Sequence, residues 1–455
     1  MLKDLIGTLG DIVWGPPMLI LLVGTGIFLS LRLKFMQFSQ LPYALKLAFS
    51  KNQDDQSEGD ISHFAALMTA LAATIGTGNI AGVATAVIFG GPGAVFWMWV
   101  TAIFGMATKY AEAILAVKYR TIDARGEMAG GPMYYIEKGL GWKWLGVLFA
   151  LFASFAAFGI GNMVQSNSVA LAVQESTGLT PWITGIILMI FTGLVLLGGI
   201  KSIGKVTSYL VPFMAVFYVL GGLIIIFLNL DKVPGALGLI FGNAFTGQAA
   251  VGGALGAVIR YGVARGVFSN EAGLGSAPIA AAAAKTDMPG RQALVSMTGT
   301  FLDTIVVASI TGIVLVMSGL YAGVDLSNPQ AAELTVRAFE QFLPNIGQWI
   351  VSIGIILFAY STILGWAYYG EKSFEYLFGA KSVFFYRLVF TIAVFIGTTF
   401  ELKTVWDIAD VLNGMMAVPN LIGLLGLSGI VVAETKRFQE QRKLELKKQT
   451  STFSG

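Results

Sequence analysis

The chain has 455 residues, of which 55% are hydrophobic and only 12% are charged, and its formal net charge at pH 7 is +3. The charged share is about half of the ~25% that soluble globular domains carry, so a water-soluble fold would lack polar residues to cover its surface. The sequence has no cysteine and one histidine, His63, which excludes a disulfide scaffold, thiolate metal sites and histidine clusters for zinc. With a mean hydropathy of +0.74, this composition predicts a polytopic helical membrane protein.

Eleven apolar stretches follow one another along the chain, each bounded by charged residues, proline or glycine. A helix of about 20 residues can cross a hydrocarbon core ~30 Å thick, so each stretch predicts one membrane-spanning helix. The first stretch follows only Lys3 and precedes no clear cleavage site, so we expect it to be a retained helix. The predicted spans cover residues 14–33, 62–89, 92–117, 144–173, 181–199, 202–228, 248–284, 292–318, 344–369, 383–400 and 405–433.

The distribution of lysine and arginine predicts the orientation of these spans, because basic residues accumulate in short cytoplasmic loops. With eleven spans, 22 of the 29 basic residues fall on one face and four on the other. The remaining three, Lys109, Arg260 and Arg265, lie in or beside spans. The bias predicts an N-terminus outside the cell and a C-terminus inside it.

The spans after the first form two sets of five, and most span starts of the first set recur about 200 residues later in the second. Because five is odd, the second set must enter the membrane from the opposite side, which gives an inverted repeat of the kind found in secondary transporters. We call these ten spans core helices 1 to 10. The predicted division is an extra helix with a cytoplasmic linker at 1–61, a first repeat at 62–230, a second repeat at 231–433 and a basic cytoplasmic tail at 434–455.

Two polar segments flank the core helices. The linker KNQDDQSEGD at 51–60 is acidic, and we interpret its charges as solvated rather than as a cation site. The tail segment ETKRFQEQRKLELKK at 434–448 alternates charges among helix-forming residues, which predicts a cytoplasmic helix near anionic lipid headgroups. No feature of the sequence indicates nucleic-acid binding or an obligate protein partner.

Core helices 1 and 6 carry clustered glycine and short polar residues at matching places, ATIGTGNIAG at 73–82 and GVFSNEAGLGSAP at 266–278. Glycine costs about 1 kcal/mol against alanine in a helix, and short polar side chains compete for backbone hydrogen bonds. An opened turn in lipid needs protein, water or a ligand to satisfy its backbone groups. Close helix packing is the alternative interpretation of one such cluster, but two clusters in symmetric positions predict two interrupted helices.

Two interrupted helices that face each other would suit a zwitterion, because the N-terminus of a half-helix attracts an anion and a C-terminus attracts a cation. In core helix 1 we expect amides near Gly78 and Asn79 to bind a carboxylate. In core helix 6 we expect carbonyls near Phe268 and Ser269 to bind an ammonium group. The pattern therefore indicates an amino acid as the solute.

The residues by themselves leave the coupling ion open between a proton and sodium. A proton needs a buried group that titrates, but Lys109 could simply pair with Glu112, and an arginine could neutralise a carboxylate. Sodium needs several oxygens, which carbonyls near the interruption of core helix 1 and two hydroxyls of core helix 8 could supply. The candidate ionisable residues are Lys109, Glu112, Arg260, Arg265, Glu271 and Asp303, and the candidate sodium ligands are Ala72, Thr74, Ile75, Ser361 and Thr362.

The segment GGPGAVFWMWVTAIFG at 90–105 resembles the signature of the alanine/glycine:cation symporters, also called sodium:alanine symporters, without a break over sixteen positions. With GTGN at 76–79 and SNEAGLGS at 269–276, the resemblance covers nearly the whole chain. It implies an all-α fold of the leucine-transporter (LeuT) type with a five-plus-five inverted repeat. It also implies sodium-driven uptake of alanine or glycine across the cytoplasmic membrane by alternating access, and no enzymatic chemistry.

The resemblance further implies where sodium, the coupling ion, binds. In carriers of this fold, backbone carbonyls of core helix 1 lie opposite a pair of hydroxyls on core helix 8. The corresponding residues of this chain are Ala72, Ile75, Phe358, Ser361 and Thr362. A second sodium site linked to the substrate would use Thr74 and Asn79, without a complete set of ligands.

The resemblance also implies a substrate site between the two interruptions. Many carriers of this fold place a tyrosine of core helix 3 in that site, and this chain offers Gln165 instead. Trp366, one turn beyond Thr362, would limit the size of the substrate side chain. The residues expected at the substrate are Thr77, Gly78, Asn79, Gln165, Phe268, Ser269, Asn270, Gly273 and Trp366.

Three other functions compete with sodium symport. A proton-coupled amino-acid carrier would use Glu271 or Asp303 as its titrating group. An ion channel would need a continuous polar pore. A membrane-embedded enzyme would need a nucleophile and base set that the sequence does not offer.

Overall fold

A computed structural model shows the chain to be mostly helical (84%), as its composition predicts. The structure describes residues 2–50, 57–246, 255–326, 330–400 and 403–453. Among these, one short hairpin is formed by the antiparallel strands β1 (Thr121–Ile122) and β2 (Met128–Ala129).

Four helices precede the core helices, and the second of them is the predicted extra span. Pro16 and Pro17 occupy its first turn, where a missing N–H costs no helical hydrogen bond. The four helices are α1 (Leu2–Val13), α2 (Pro16–Arg32), α3 (Met36–Ser39) and α4 (Leu41–Ala48).

Core helices 1 to 5 begin and end within four residues of the predicted bounds. The strands β1 and β2 and the short helix α8 lie between core helices 2 and 3, and core helix 3 contains a π-helical segment at Gly159–Met163. The helices are α5 (His63–Thr74), α6 (Ala81–Gly90), α7 (Gly93–Lys118), α8 (Pro132–Tyr135), α9 (Lys143–Phe158), α10 (Val164–Thr177), α11 (Pro181–Leu197) and α12 (Gly199–Leu228).

The second half of the chain contains two helices that the sequence analysis did not predict, α13 and α18. Core helix 7 contains a π-helical segment at Phe301–Ala308. The start of the predicted span 248–284 lies outside the described residues. The helices are α13 (Val233–Thr246), α14 (Leu255–Asn270), α15 (Pro278–Ala282), α16 (Pro289–Thr300), α17 (Ser309–Ser318), α18 (Ala331–Phe342), α19 (Gly347–Phe378), α20 (Val383–Thr399), α21 (Lys403–Gly426) and α22 (Ser428–Phe453).

Within the described residues, eight helices are long and apolar enough to cross a membrane, or nine if one bent pair counts as a single span. These apolar helices indicate a multi-pass membrane protein. The number of eleven spans and their orientation stay predictions.

The last predicted span, 405–433, is wrong at its C-terminal end. α21 ends at Gly426, and a separate helix begins at Ser428, six residues before the predicted cytoplasmic helix. Ser428 accepts a hydrogen bond from Arg32 (2.7 Å), and Val431 is fully buried. The apolar residues after Gly426 therefore pack against the protein instead of extending the span.

The interpretation of the linker as merely solvated is wrong for Asp60, whereas residues 51–56 lie outside the described residues. The Asp60 carboxylate accepts a hydrogen bond from the backbone N–H of Met128 (2.8 Å). The carbonyl of Ile61 accepts one from the backbone of Lys285 (2.7 Å). Burial raises the pKa of Asp60, although the Met128 hydrogen bond acts in the opposite direction. This segment of the linker is thus tied to both halves of the chain.

The centre of the molecule is α7, which is buried on every face over residues 105–117. It packs against α14, α16 and α2, so it contacts the first half of core helix 6 and the start of core helix 7. It carries Lys109 and Glu112 into the interior, where both are buried. The charged residues of the interior are therefore grouped around one helix.

Candidate functional site

Core helix 1 is interrupted where the sequence predicts. α5 ends at Thr74, and the following helical segment, Thr77–Gly90, is bent by 61° relative to it. The side-chain oxygen of Asn79 accepts a hydrogen bond from the backbone N–H of Gly76 (3.1 Å). This bond satisfies a backbone group that the open turn would otherwise leave unpaired.

Core helix 6 is interrupted as well, between the end of α14 at Asn270 and the start of α15 at Pro278. Glu271, Gly273 and Gly275 all adopt positive φ angles, +55°, +92° and +87°. Glycine reaches this region without steric cost, whereas glutamate reaches it only when its surroundings hold it there. The structure therefore confirms the second predicted interruption. The first half of core helix 6 ends at Asn270, one residue beyond Ser269.

Two polar side chains from other helices hold the interruption of core helix 6 in place. The carboxylate of Glu112 accepts hydrogen bonds from the backbone N–H of Gly273 (3.1 Å) and from the Asn420 amide (2.7 Å). Asn420 also donates to the Gly273 carbonyl (2.8 Å) and accepts from the Tyr135 hydroxyl. The sequence analysis missed Asn420, although an amide beside Pro419 within an apolar span could have singled it out.

The two interruptions lie directly opposite each other. A Cβ atom added to Gly78 would lie 3.3 Å from Cδ1 of Phe268 and 3.5 Å from the Cα atom of Ser269. Thr77 and Gly78 open a helical segment, and the first N–H groups of such a segment lack an intrahelical acceptor. The predicted carboxylate-binding and ammonium-binding groups are thus brought together.

The predicted sodium ligands of core helices 1 and 8 also converge. The hydroxyls of Ser361 and Thr362 both donate to the carbonyl of Ala72, at 3.2 and 3.1 Å. They donate to the carbonyl of Phe358 as well, at 2.8 and 2.9 Å. Ile75 follows directly at the end of α5, and all five residues are buried. The arrangement is a compact cluster of oxygens in the interior, which is the ligand chemistry that sodium requires.

Thr74 and Asn79, the residues expected at a second sodium site, form hydrogen bonds with other groups of the protein. The hydroxyl of Thr74 donates to the carbonyl of Ala70 in its own helix (3.2 Å). The amide of Asn79 donates to the carboxylate of Asp303 (2.9 Å), which also accepts from Ser269 (2.8 Å) and Thr304 (2.7 Å). Asp303 thus joins both interruptions, a role that the sequence analysis did not assign to it.

Two further residues expected at the substrate, Trp366 and Gln165, are buried. Trp366 is buried against Gly161 of core helix 3, where an added Cβ atom would lie 2.2 Å from the Cβ atom of Trp366. Gln165 is buried, and its amide donates to the carbonyl of Ile160 (3.0 Å).

Asn270 is bound mainly within the protein. Its amide donates to the hydroxyl of Thr304 (3.2 Å), and its side-chain oxygen accepts from the backbone of Ala272 (3.0 Å). The side chain therefore stabilises the interruption and links it to core helix 7.

The structure corrects the expected pairing of the interior charges. Within the described part of the chain, the ammonium group of Lys109 has no hydrogen-bond partner and makes no direct ion pair with Glu112. Arg260 contacts Asp11 of α1 at 2.7 Å, and Arg265 lies over the ring of Phe268. Neither arginine neutralises the interior carboxylates, because both face the end of the molecule where α1 lies.

A cavity of about 260 Å³ leads to Phe268 from that same end of the molecule. Trp14 holds α1 to α21 through a hydrogen bond to the carbonyl of Asp410 (3.2 Å). The cavity is lined by residues of the N-terminal helix and of core helices 6 and 10, including Asp11, Trp14, Arg260, Arg265, Phe268 and Asp410.

The other end of the molecule carries a network of ion pairs. Lys372 of α19 is fully buried and contacts Asp123 (2.7 Å), Glu127 (3.2 Å) and Glu375 (3.1 Å). Burial acts to raise the pKa of Asp123, but hydrogen bonds from Lys372 and from backbone N–H groups outweigh it and lower the pKa to about 2. The network links the β1–β2 connection to core helix 8.

The profile of the sodium:alanine symporter family matches residues 1–452 of this chain. The chain belongs to the sodium:alanine symporter family. The symporter is 66% identical over 448 residues to the sodium/alanine symporter AgcS of Methanococcus maripaludis, covering 98% of this chain and 99% of that protein. It is 37% identical to the probable sodium/glutamine symporter GlnT of Bacillus subtilis, covering 97% and 92% of the two chains.

A solved structure supports the predicted fold of the symporter. The crystal structure of MhsT in complex with L-phenylalanine superimposes with a TM-score of 0.60, covering 83% of this chain and 93% of MhsT at 14% identity. The chain is thus a structural neighbour of a transporter with the LeuT fold, whereas the count of eleven spans and their topology stay predictions. The family also confirms that the symporter is a transporter and not an enzyme.

Proposed function

We propose that this symporter couples sodium entry to the uptake of a small neutral amino acid, alanine or glycine, across the cell membrane. The observation that carries the proposal is the pair of facing interruptions at Gly78 and Phe268, with an oxygen cluster at Ser361 and Thr362 nearby. The name of the relative AgcS supports alanine as the substrate.

The substrate would lie between the two interruptions. The N–H groups of Thr77 and Gly78 would bind its carboxylate, and carbonyls at the end of α14, near Phe268 and Ser269, would bind its ammonium group. Asn79, Asn270 and Gly273 would keep the open turns in shape through the hydrogen bonds described above. Trp366 and Gln165 would limit the space left for the substrate side chain.

Sodium would bind among the carbonyls of Ala72, Ile75 and Phe358 and the hydroxyls of Ser361 and Thr362. Hydroxyl hydrogens rotate, so both hydroxyls can turn their lone pairs towards a cation. These ligands join core helix 1 to core helix 8, so a bound ion would stabilise one packing of the two helices. Substrate binding at the adjoining interruption would then depend on sodium by linkage.

The whole protein would work as an inverted repeat, with halves at 62–230 and 231–433 and the extra helix and linker at 1–61. The N-terminus would lie outside the cell and the C-terminus inside. The basic tail at 434–455 would lie near anionic headgroups of the cytoplasmic leaflet. In this orientation the cavity that reaches Phe268 opens to the outside, and the Lys372 network closes the cytoplasmic side.

Calorimetric titration of the purified protein with alanine tests the proposal. We expect binding in sodium chloride and at least a roughly tenfold loss of affinity when potassium replaces sodium at equal ionic strength. Glycine should compete with alanine, whereas glutamate, with its charged side chain, should not. Equal alanine affinity in the two salts would contradict sodium coupling.

A further inference from the structure

An apolar groove runs along the first half of core helix 1, on the side that faces core helices 5 and 7. It has a volume of about 270 Å³, and every residue that lines it is apolar. Leu71 and Ile75 line it from core helix 1, Pro212 and Leu220 from α12, and Val306 from core helix 7. Among the described residues it shares none with the cavity beside α1, so the groove is a separate feature.

The groove is open to the surroundings of the molecule. Val216 and Leu220 of α12 are 56% and 54% exposed, and Phe49, which follows α4, is 55% exposed. α12 is long and apolar enough to cross a membrane, so its exposed apolar side chains would contact hydrocarbon rather than water. The occupant of the groove must therefore be apolar over its whole length.

The length of the groove matches one leaflet of a bilayer. On α12 the lining residues extend from Val211 to Leu220, which corresponds to about 14 Å at ~1.5 Å per residue. Half of a hydrocarbon core ~30 Å thick has nearly the same length. One acyl chain that lies along α12 would therefore fill the groove from one end to the other.

α5 and α12 begin at the same end of the molecule. The hydroxyls of Thr69 in α5 and Thr207 in α12 lie 3.3 Å apart. Lys205 lies two residues before Thr207, and Pro212 follows it two helical turns later on the same face of α12. Lys205 thus lies beyond the end of the groove that is nearest the start of both helices.

A second lysine lies at this end. Lys46 is in the last turn of α4, three residues before Phe49. The ring of Phe49 contacts that of Phe64 at the start of α5, with 6.2 Å between the ring centroids. Lys46 and Lys205 are both exposed, and within the described part of the chain neither forms an ion pair. Basic residues beside membrane-spanning helices attract anionic headgroups, so the lysines and the groove complement the two parts of an anionic lipid.

We propose that the groove between core helices 1, 5 and 7 binds one anionic phospholipid, with an acyl chain along α12 and the headgroup at Lys46 and Lys205. The chain contacts Leu71 and Ile75, so it fills the space between α12 and the first half of core helix 1. The interruption separates this half from the rest of core helix 1, and its position therefore depends on such neighbours. The inference is independent of sodium coupling and of the substrate.

Native mass spectrometry of the full-length protein in detergent tests the inference. Dioleoyl phosphatidylglycerol, which is anionic, and dioleoyl phosphatidylcholine, which has the same chains and no net charge, are titrated separately. We expect one phosphatidylglycerol to bind about tenfold or more tightly than one phosphatidylcholine, because each basic residue near a headgroup contributes about fivefold. Equal binding of the two lipids would contradict the role of the lysines.

Two sets of variants examine the chain and the headgroup separately. Ala215→Trp fills the groove with an indole and should abolish specific binding of phosphatidylglycerol, whereas Leu194→Trp in the apolar groove between α11 and α20 should not. Lys46→Gln and Lys205→Gln should each weaken phosphatidylglycerol binding about fivefold and leave phosphatidylcholine binding unchanged. Lys381→Gln, which removes an exposed lysine before α20, is the control for the change of charge.

Unchanged phosphatidylglycerol binding in Ala215→Trp, or in both Lys46→Gln and Lys205→Gln, would overturn the inference. So would a native dimer that Ala215→Trp converts to a monomer without loss of lipid, because a second copy of the chain would then occupy the groove. If Ala215→Trp does not yield a folded protein, the lysine variants and the comparison of the two lipids decide, since neither alters the apolar lining. Failure of the proposed function is separate, because none of these measurements involves sodium or alanine.

Discussion

At the scale of single residues, the hydroxyl pair on core helix 8 carries the proposed sodium site. Ser361 and Thr362 place two hydroxyls within 3.2 Å of the carbonyl of Ala72. Both also bond to the carbonyl of Phe358 one turn earlier, which is an ordinary arrangement within a helix. The contact across to core helix 1 is therefore the feature that distinguishes this pair from other serine and threonine residues.

Thr362→Val should weaken sodium binding, because it removes one oxygen ligand and preserves the shape of the side chain. A hydrogen bond or ligand contact to a charged group contributes about 1.5 to 3 kcal/mol, so the half-saturating sodium concentration should rise about tenfold or more. Alanine titrations at several sodium concentrations measure the change. Thr391→Val is the control, since that hydroxyl bonds only within α20, to the carbonyl of Arg387 (2.7 Å). Equal sodium dependence in both variants would show that Thr362 is not a sodium ligand.

At the scale of elements, the interruptions need support from other helices, because an open turn in a membrane has no water to satisfy it. Asn79 supports the interruption of core helix 1 from within, whereas Glu112 and Asn420 support that of core helix 6 from α7 and α21. The interruption of core helix 6 is thus held in place by two neighbouring helices that are themselves continuous.

The Lys372 network gives the β1–β2 connection a pH-dependent stability. The pKa of Asp123 is about 2 in the folded protein and about 3.9 in an unfolded chain, so the folded state binds its proton less readily. The stabilisation is therefore present above about pH 4 and is lost as the pH falls towards 2. Thermal unfolding of the native protein should show decreasing stability between about pH 4 and about pH 2.

Asp123→Asn should be less stable than the native protein at neutral pH, because Lys372 loses one of its carboxylates. The difference between the two proteins should shrink as the pH falls, since protonation removes the same charge from native Asp123. Asp287→Asn, which affects an exposed pair, should show no such convergence. A constant difference at every pH would contradict the assignment of the pH dependence to Asp123.

At the scale of the whole molecule, one end is open and the other is closed. The cavity beside α1 reaches Phe268, while the Lys372 network joins the β1–β2 connection to core helix 8 at the opposite end. Alternating access would require the network to separate and the cavity to close. The first helix, α1, takes part in the open end, because Asp11 pairs with Arg260 there.

The absence of cysteine from the sequence makes this arrangement directly testable by labelling. Ala264 lines the cavity, so Ala264→Cys should react with a membrane-impermeant maleimide added outside intact cells. Sodium and alanine together should slow the reaction, because the occluded state closes the cavity. Ala150→Cys, at a fully buried position of α9, should remain unlabelled. Labelling of Ala264→Cys only in permeabilised cells would place the open end in the cytoplasm.

The sequence by itself determined the features that depend on local composition. The lengths of apolar runs predict the helices, and glycine and short polar residues predict both interruptions, because these residues weaken a helix wherever it packs. The hydroxyl pair at Ser361 and Thr362 was found in the same way. Local composition was less successful at 428–433, where a separate helix follows α21 and Val431 is buried against the protein.

Only the tertiary structure decided which distant residues meet. Glu112 and Asn420 are 308 positions apart, and Asn79 and Asp303 are 224 apart, so no local pattern connects them. Their contacts depend on how core helices pack and on the π-helical segment that redirects Asp303. Hydropathy records whether a segment is apolar, but it does not show which face of a helix contacts which neighbour. For that reason, the hydrogen bonds that support the interruptions and the central position of Asp303 appear only in the folded molecule.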